Sequence, residues 1–425
     1  MIAVLDVLRT PILNPQQMSE ARLVAGIAVF IASYVVFALG KFPGTKIDRP
    51  GAAIIGAVLM VAFRIVNASQ AIRAVDFATI VLLFAMMLIV GDLRLAGTFD
   101  AVAFFVISRL GSKRLLPAVI FTTGALSAFF VNDIICLVMV PIVLTLATRM
   151  RLKPLPYLLA VATASNIGSV ATITGNPQNI LIGSYSSISY RSFLAHLGPV
   201  AVVGLFFDWG ILSWLFRDAH VEAMPDRAGT VALANSGTRR WIKPAVVVLG
   251  VVAGFLVGFP PALVAAVGAA LLLMTRTMDP HLVYETVDWG LLVFFVGLFI
   301  IVAGAEFVGV TQLMFDFARH WNVQHPAVLA VITAVFSNIV SNVPAVMLMK
   351  SLIPGLQNPH LGWLLLAMAS TLAGNLTITG SVANIIVVEQ AKKTVRISFR
   401  DYLRAGVPVT ICTLAFGTLY LWLIG

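Results

Sequence analysis

The octapeptide TITGNPQN at residues 172–179 interrupts a long apolar stretch of the chain. Its glycine and proline weaken an α-helix, and most of its other side chains carry hydroxyl or amide groups. A second octapeptide, TITGSVAN at residues 377–384, repeats the first four residues and places Asn384 where the first has Asn179. The same polar break therefore occurs twice, each time within apolar surroundings.

The composition places these breaks in a membrane protein. The chain has 425 residues, of which 60% are hydrophobic and 11% charged, and its mean hydropathy is +0.99. Soluble proteins carry roughly 25% charged residues, and an apolar run of ~17–25 residues is enough to span a bilayer. We therefore predict an all-α polytopic membrane protein. The six histidines and two cysteines show no spacing that predicts a metal site, and we expect no cofactor.

Two segments differ from ordinary spans because polar residues interrupt them near the middle. Residues 117–148 contain VNDI and residues 327–353 contain SNIVSNVP, and each segment is about two half-spans long. This pattern predicts a re-entrant hairpin, whose polar tip is tolerated where protein or a water-filled cavity surrounds it. Ten other segments are predicted to span the bilayer, at about residues 22–40, 50–66, 77–94, 156–183, 193–216, 244–258, 261–275, 288–306, 361–388 and 405–424.

The basic residues collect on one side of this layout. With the N-terminus outside, 19 of the 28 Lys and Arg residues, Arg49 among them, fall in inside loops and six fall outside. Cytoplasmic loops of membrane proteins carry this excess, so we expect both termini outside a cell membrane, the inner membrane in a bacterium. We therefore attribute the net charge of +10 to the Lys and Arg residues of the inside loops, and we predict no nucleic-acid partner.

The two halves of the chain resemble each other well beyond the octapeptides. VDFATIVLLFAMMLIVG from Val75 pairs with VDWGLLVFFVGLFIIVAG from Val287, and the offset between matching motifs stays between 205 and 212 residues. We interpret this as a duplication. The predicted first repeat covers residues 1–216, a cytoplasmic linker covers 217–243 and the second repeat covers 244–425.

Each predicted repeat has five spans and one hairpin, and the odd number of spans inverts the second repeat relative to the first. The helices at about 156–183 and 361–388 are broken at matching positions. Inverted repeats with broken helices are typical of secondary transporters, whose substrate site lies near the midplane between the repeats. We therefore expect both breaks to line one cavity. A channel is the main competing class, but channels favour repeated filter motifs around a pore.

The breaks and the hairpin tips supply the candidate ligands. Unwound backbone exposes carbonyls that suit a cation, while the N-termini of half-helices suit an anion or a polar oxygen. The alternative is that Ser, Thr and Asn residues only bond neighbouring helices. The candidate substrate- or ion-binding residues are Asn132, Asp133, Asn166, Thr174, Gly175, Asn176, Asn179, Ser341, Asn342, Asn375, Thr377, Thr379, Gly380 and Asn384.

Asp133 is the candidate for coupling transport to an ion. A carboxylate at membrane depth is costly and is usually functional, so Asp133 is predicted to carry a proton or to bind a cation. A structural acid bonded to free amides at the hairpin tip is the alternative. Asp208 and Glu306 are further intramembrane acids, but neither has a counterpart in the other repeat.

These motifs resemble the ion transporter superfamily, and within it the arsenite permeases and the plant silicic-acid efflux transporters. FFVNDIICLVMVPIV at residues 129–143 is similar to their Asn-Asp hairpin motif, and ASNIGSVATITGNPQNILIG at residues 164–183 is similar to the silicic-acid efflux form. The resemblance covers nearly the whole chain. Dicarboxylate symporters of this superfamily carry Ser-Asn-Thr at both tips, whereas residues 131–133 read Val-Asn-Asp and residues 341–343 read Ser-Asn-Val.

The resemblance implies a scaffold, mobile regions built from hairpins and broken helices, elevator-like motion and a homodimer. The residues carried over by motif are Asn132, Asp133, Asn166, Gly175, Asn176 and Asn179 in the first half, and Asn342, Asn375, Thr379, Gly380 and Asn384 in the second. Neutral polar groups without clustered arginines suit an uncharged polyhydroxy substrate such as arsenous or silicic acid, because a fixed dicarboxylate more often attracts Arg or Lys.

Three functional hypotheses follow. The first is secondary efflux of arsenite or a similar metalloid hydroxide, a small inorganic substrate, in exchange for protons. The second is a sodium-coupled anion transporter or a sodium/proton antiporter, and the third is a channel-like permease. The sequence contains no Gly-x-x-x-x-Gly-Lys-Ser/Thr motif, so we predict that it is not an enzyme and that an ATP-driven pump would need a separate ATPase partner.

Overall fold

The computed structural model describes residues 20–42, 44–99, 101, 114–217, 242–274 and 279–425, and these are almost entirely helical. In the first half the helices are α1 (Glu20–Leu39), α2 (Arg49–Ala62), α3 (Ala68–Ala74), α4 (Phe77–Leu95), α5 (Leu115–Phe129), α6 (Asn132–Arg149), α7 (Leu155–Ser169), α8 (Pro177–Ser186) and α9 (Tyr190–Leu215). In the second half they are α10 (Ile242–Val257), α11 (Pro261–Met274), α12 (Pro280–Glu285), α13 (Trp289–Phe307), α14 (Val310–His320), α15 (Pro326–Val340), α16 (Asn342–Met349), α17 (Pro359–Leu372), α18 (Val382–Ala391) and α19 (Phe399–Ile424).

Six of the described helices are long and apolar enough to cross a membrane: α1, α4, α6, α9, α13 and α19. Three other predicted spans are shorter helices, since α2 and α11 have 14 residues and α10 has 16. A helix rises about 1.5 Å per residue, so 14 residues cover roughly 21 Å of a hydrocarbon core about 30 Å thick. The spans built from these shorter helices stay predictions.

The distribution of side chains suits an apolar solvent. Large apolar side chains point outward, among them Trp214, Leu249, Leu263 and Leu423, of which Leu423 is 74% exposed. Many Asn, Ser and Thr side chains are instead buried inside the bundle. A bilayer offers no hydrogen bonds to polar groups, so polar groups lie inside and apolar groups face out.

The helices pack in pairs that exchange partners between the two halves. Helix α2 of the first half packs against α13 of the second, and α4 packs against α11. A second set of helices repeats this exchange, since α6 packs against α18 and α8 against α16. Helices α9 and α19 also pack against each other. Each half therefore contributes to both sets, and neither half forms a separate bundle.

The two predicted hairpins each contain two helices with a very short connection. Phe130 and Val131 separate α5 from α6, and Ser341 alone separates α15 from α16. Helices α5 and α6 pack against each other, as do α15 and α16. Re-entry of these pairs from opposite faces of the membrane stays a prediction, and α6 with 18 residues also has the length of a span.

The two predicted broken helices are interrupted at the octapeptides. Seven residues, 170–176, separate α7 from α8, and nine residues, 373–381, separate α17 from α18. Each break contains a short 3-10 turn, at Ile173–Gly175 and at Ile378–Gly380. Most of the predicted linker at 217–243 lies outside the described residues.

Close contact between α5 and α7 depends on a glycine, which gives a first prediction. A Cβ on Gly168 would lie 2.1 Å from the carbonyl oxygen of Gly124, an atom that cannot move without distorting α5. We expect Gly168→Ala to destabilise the fold by about 3 kcal/mol, as overpacking does elsewhere. Thermal unfolding of the detergent-purified protein measures this loss.

Gly210→Ala in α9 is the matched control. No atom lies within 4 Å of a Cβ built on Gly210, which is exposed on the outer surface. Alanine there should leave stability unchanged or raise it by up to about 1 kcal/mol, because it favours the helix. Equal unfolding temperatures for the two variants would contradict the proposed close packing of α5 and α7.

Candidate functional site

The first break has a defined backbone path. Thr172 and Asn176 are extended, with φ/ψ of −136°/163° and −157°/162°, and they flank the 3-10 turn. A Cβ on Gly175 would lie 2.2 Å from the carbonyl oxygen of Ser169, so only glycine allows this approach. Asn176 then begins α8, because its Oδ1 accepts from the backbone N–H of Asn179 at 2.8 Å.

The second break follows the same path. Thr377 has φ/ψ of −136°/162°, within one degree of Thr172, and Ser381 is extended like Asn176. The threonine hydroxyls also pair in both breaks, Thr172 with Thr174 at 3.3 Å and Thr377 with Thr379 at 3.4 Å. The repeated sequence thus produces a repeated local structure.

One asparagine holds each break closed. Asn179 Nδ2 donates to the carbonyl oxygens of Ser169 and Thr172, both at 3.0 Å. Asn384 Nδ2 donates to those of Gly374 at 2.6 Å and Thr377 at 3.0 Å. Both asparagines are fully buried. Their amides donate to carbonyl oxygens that lost their helical partners. Such oxygens need a donor because apolar surroundings offer no other hydrogen bond.

Asn166, near the end of α7, joins the two halves. Its Nδ2 donates to Asn375 Oδ1 at 2.8 Å and to Asn384 Oδ1 at 3.0 Å. Its Oδ1 accepts from Asn132 Nδ2 and from Ser381 Oγ, both at 3.0 Å. One amide therefore links the first hairpin tip to the second break.

Thr371, near the end of α17, makes the reciprocal links. Its Oγ1 accepts from Asn176 Nδ2 at 3.2 Å and from Gln178 Nε2 at 3.1 Å, and it lies 3.5 Å from Asn179 Oδ1. Thr371 stands 205 residues after Asn166, the same offset that separates the two octapeptides. Each half thus bonds the break of the other from an equivalent position.

A cavity of about 190 Å³ opens beside these links. Apart from Phe294, in the second turn of α13, the lining residues lie at or next to the N-terminus of a helix, and six helices contribute: α2, α6, α8, α13, α16 and α18. Backbone N–H groups at helix N-termini carry partial positive charge and donate to oxygen atoms. The lining residues are Arg49, Pro50, Asn132, Asp133, Pro177, Gln178, Asp288, Gly290, Leu291, Phe294, Ser341, Asn342, Val343, Ser381 and Val382.

Three ionisable side chains line the cavity. Asp133 is half-buried in the first turn of α6, and Asp288 is exposed and caps α13 by accepting from Leu291 N at 2.9 Å. Arg49 begins α2, and its Nε donates to the carbonyl oxygen of Phe37 at 3.0 Å. This corrects the sequence analysis, which placed Arg49 only in an inside loop and found no arginine near the site.

The second hairpin tip is strained. Ser341 has φ 80° and ψ 155°, a conformation that costs a residue with a Cβ about 1–3 kcal/mol. Beside it, the Asn342 amide satisfies its neighbours when its nitrogen faces the carbonyl oxygens of Gly380 at 3.1 Å and Ser370 at 3.2 Å. Its oxygen then accepts from Gln178 Nε2 at 3.3 Å, a third link between the halves.

The predicted site residues fall into three groups by position. Asn132, Asp133, Ser341 and Asn342 line the cavity. A second group is buried in the hydrogen-bond network beside it and comprises Asn166, Asn176, Asn179, Asn375 and Asn384. The third group shapes the breaks without lining the cavity and comprises Thr174, Gly175, Thr377, Thr379 and Gly380.

The two Thr-Ile-Thr-Gly segments therefore do not themselves face the cavity. Thr174 bonds the carbonyl oxygen of Phe129 at 3.3 Å and the hydroxyl of Tyr190 at 3.0 Å, while Thr379 is exposed. The residues that reach the cavity follow each Thr-Ile-Thr-Gly segment, because the turn directs the following helix N-terminus inward. Thr371 was not predicted as a site residue. Its position 205 residues after Asn166, the offset that separates the two octapeptides, is the signal that could have identified it.

The buried polar breaks, the apolar exterior and the cavity between helix N-termini define a multi-pass membrane transporter. Residues 34–373 match the family described as citrate transporter, CitMHS. The chain belongs to this family, within the ion transporter superfamily.

Three relatives cover nearly the whole chain. The 46 kDa membrane protein of Mycobacterium leprae is 31% identical, over 94% of this chain and 98% of its own. The silicon efflux transporter LSI3 of Oryza sativa subsp. japonica is 30% identical over 94% and 97%, and the putative transporter arsB of Dictyostelium discoideum is 24% identical over 93% and 92%. These matches confirm the resemblance found in the sequence.

Two solved structures share the fold. The YdaH transporter of Alcanivorax borkumensis superposes with a TM-score of 0.61 at 13% identity, over 95% of this chain and 97% of that one. MtrF of Neisseria gonorrhoeae, described among antimetabolite efflux pumps, gives 0.59 at 12% identity over 100% and 98%. At these identities the similarity concerns the fold alone.

The links made by Thr371 give the second prediction. Thr371→Val keeps the shape but removes the hydroxyl that Asn176 and Gln178 contact. We expect a loss of about 1–3 kcal/mol in stability, because two buried amides lose a partner. Transport should fall with it, since Gln178 lines the cavity. Thermal unfolding and substrate flux in proteoliposomes measure both effects.

Thr371→Ser is the matched control, because it keeps the hydroxyl and loses only a methyl group, worth about 1 kcal/mol. It should transport at close to the wild-type rate. If the serine and valine variants transport equally well, the hydroxyl has no part in joining the halves at this site.

Proposed function

We propose that the protein is a secondary active transporter that exports arsenite or a similar uncharged metalloid hydroxide, of the silicic acid type, in exchange for protons. The observation that carries this proposal is the lining of the cavity. Asn132, Gln178, Asn342, Ser341 and Ser381 present amides and hydroxyls, which both donate to and accept from the hydroxyl groups of such a substrate.

The charges of the cavity support an uncharged substrate over a polycarboxylate. Asp133 and Asp288 bring two carboxylates against the single guanidinium of Arg49. Like charges repel, and the Arg49 Nε–H is already engaged by Phe37. A di- or tricarboxylate would therefore meet more negative than positive side chains. The names of the rice and Dictyostelium relatives point in the same direction.

A sodium-coupled anion transporter is the second candidate. The six helix N-termini at the cavity and Arg49 favour negative charge there. The description of the family as citrate transporters agrees with this reading. In that mechanism Asp133 would bind sodium, and the cation would offset the repulsion between the carboxylates and the anion.

Asp133 is the proposed coupling residue. It lies in the first turn of α6, beside Asn132, and faces the cavity with its carboxylate half-buried. Binding of a proton at Asp133 would remove a charge next to the substrate, so proton and substrate occupancy would influence each other.

We further propose a homodimer in the bacterial inner membrane with both termini outside, and a separate ATPase only where transport is ATP-driven.

Transport into everted membrane vesicles tests the function. Arsenite, silicic acid and citrate are compared under a proton gradient and, separately, under a sodium gradient. We expect arsenite or silicic acid to accumulate with the proton gradient alone and the accumulation to collapse with a protonophore. Citrate uptake that follows sodium would instead support the second candidate, and downhill flux unaffected by either gradient would indicate a channel-like permease.

Replacement of Asp133 gives a further prediction. Asp133→Asn preserves the shape and removes the group that titrates, so proton-driven accumulation should disappear while exchange of substrate across the membrane persists. Proton-driven uptake and counterflow in proteoliposomes separate the two activities. If Asp133 binds sodium, the variant should lose sodium stimulation and keep its pH dependence.

Asp288→Asn is the matched control, because it neutralises the other carboxylate of the same cavity. Asparagine at this position still caps α13, so the fold should be retained. We expect this variant to keep proton-driven accumulation. If Asp133→Asn accumulates substrate as well as the wild-type protein does, Asp133 has only a structural role.

A further inference from the structure

One carboxyl group outside the cavity is completely buried. Asp208, in the middle of α9, is 0% exposed. Its Oδ2 lies 3.0 Å from Thr163 Oγ1 on α7, and its Oδ1 has no hydrogen-bond partner. No basic side chain of the described residues forms an ion pair with it. An isolated carboxylate in such surroundings is among the most costly groups to bury.

The contacts of Thr163 are compatible with a protonated Asp208. Thr163 Oγ1 lies 2.9 Å from the carbonyl oxygen of Leu159 as well as 3.0 Å from Asp208 Oδ2. A hydroxyl has one hydrogen and two lone pairs. If Thr163 donates to Leu159, its contact with Asp208 is a hydrogen bond only when Asp208 carries a proton and donates it. Both contacts are then satisfied.

Asp208 contacts the side chain of Thr163, and the backbone carbonyl of Thr163 begins a series of hydrogen bonds that ends at the cavity. The carbonyl oxygen of Thr163 accepts from Asn375 Nδ2 at 3.2 Å. Asn375 in turn accepts from Asn166 at 2.8 Å, and Asn166 accepts from Asn132 at 3.0 Å. Asn132 lines the cavity. The residue that contacts the buried acid is therefore bonded, through its own backbone, to the network beside the cavity.

A buried tyrosine lies on a helix that packs against α9. Tyr402 on α19 is buried, and its hydroxyl has no hydrogen-bond partner among the described residues. Other titratable groups on α9 and on the helices packed against it are Tyr157, Tyr190, Arg191, His196, Lys243, His360, Arg400, Asp401, Arg404, Cys412 and Tyr420.

We propose that Asp208 is a proton-binding site of the transport cycle, in addition to Asp133. In the conformation described, its O–H bond is intact and points to Thr163. When the network beside the cavity rearranges, that bond breaks, the proton passes to water, and the carboxylate accepts from the hydroxyl of Thr163. The reverse step reloads it. This inference rests on the proposed proton coupling and adds a second proton to it.

Infrared difference spectroscopy tests the protonation without measuring transport. The purified wild-type protein should show the carbonyl stretch of a protonated carboxyl at neutral pH, and Asp208→Asn should lose that band. Thr163→Val, which removes the accepting hydroxyl, should keep the band and shift it towards that of a free acid. If the wild-type and Asp208→Asn spectra show no difference in this band, the proposal is wrong.

Proton counting tests the role in transport. Asparagine at 208 can still donate from its amide to Thr163 Oγ1, so we expect substrate counterflow to persist while fewer protons move per substrate. The same ratio in wild type and variant would refute this role and leave the proposed function intact. A wild-type protein that moves substrate without protons would instead refute the proposed coupling itself, and the role of Asp208 with it.

Discussion

The requirement that broken helices satisfy their own backbone underlies the whole site. Where α7 and α17 end, carbonyl oxygens lose their helical partners in surroundings without water. Asn179 and Asn384 supply the missing donors, each bonding two carbonyls of its own break. This fixes the turn after each helix, and the turn points the N-termini of α8 and α18 at the cavity. Those N-termini then supply donors to whatever binds there.

The contacts between the halves are reciprocal. Asn166 of the first half bonds the second break, and Thr371 of the second half bonds the first. Helices exchange partners in the same way, α6 with α18 and α16 with α8. The positions are equivalent but the chemistry is not, since an amide faces one break and a hydroxyl the other. The two breaks are therefore held from matching positions by different chemical groups.

The sequence predicted those features that depend on local chemistry. The positions of both breaks and both tips followed from Gly, Pro and polar residues within apolar runs, and the family resemblance is confirmed. Arg49 and Asp288 were not placed in the cavity, because they sit at helix starts that only the packing of α2 against α13 brings there. Thr174 and Thr379 look equivalent in sequence, yet one is buried and the other exposed, because their neighbours differ.

The far ends of the same helices carry a second set of polar contacts. Lys350 at the end of α16 lies 3.7 Å from Glu306 on α13, and Ser184 on α8 bonds Asp76, which caps α4. Asp76 is the counterpart of Asp288, offset by the same 212 residues that relate Val75 to Val287. One aspartate of the pair thus lines an open cavity while the other is held by a serine. The two aspartates at matching positions of the sequence therefore occupy different environments in the structure described.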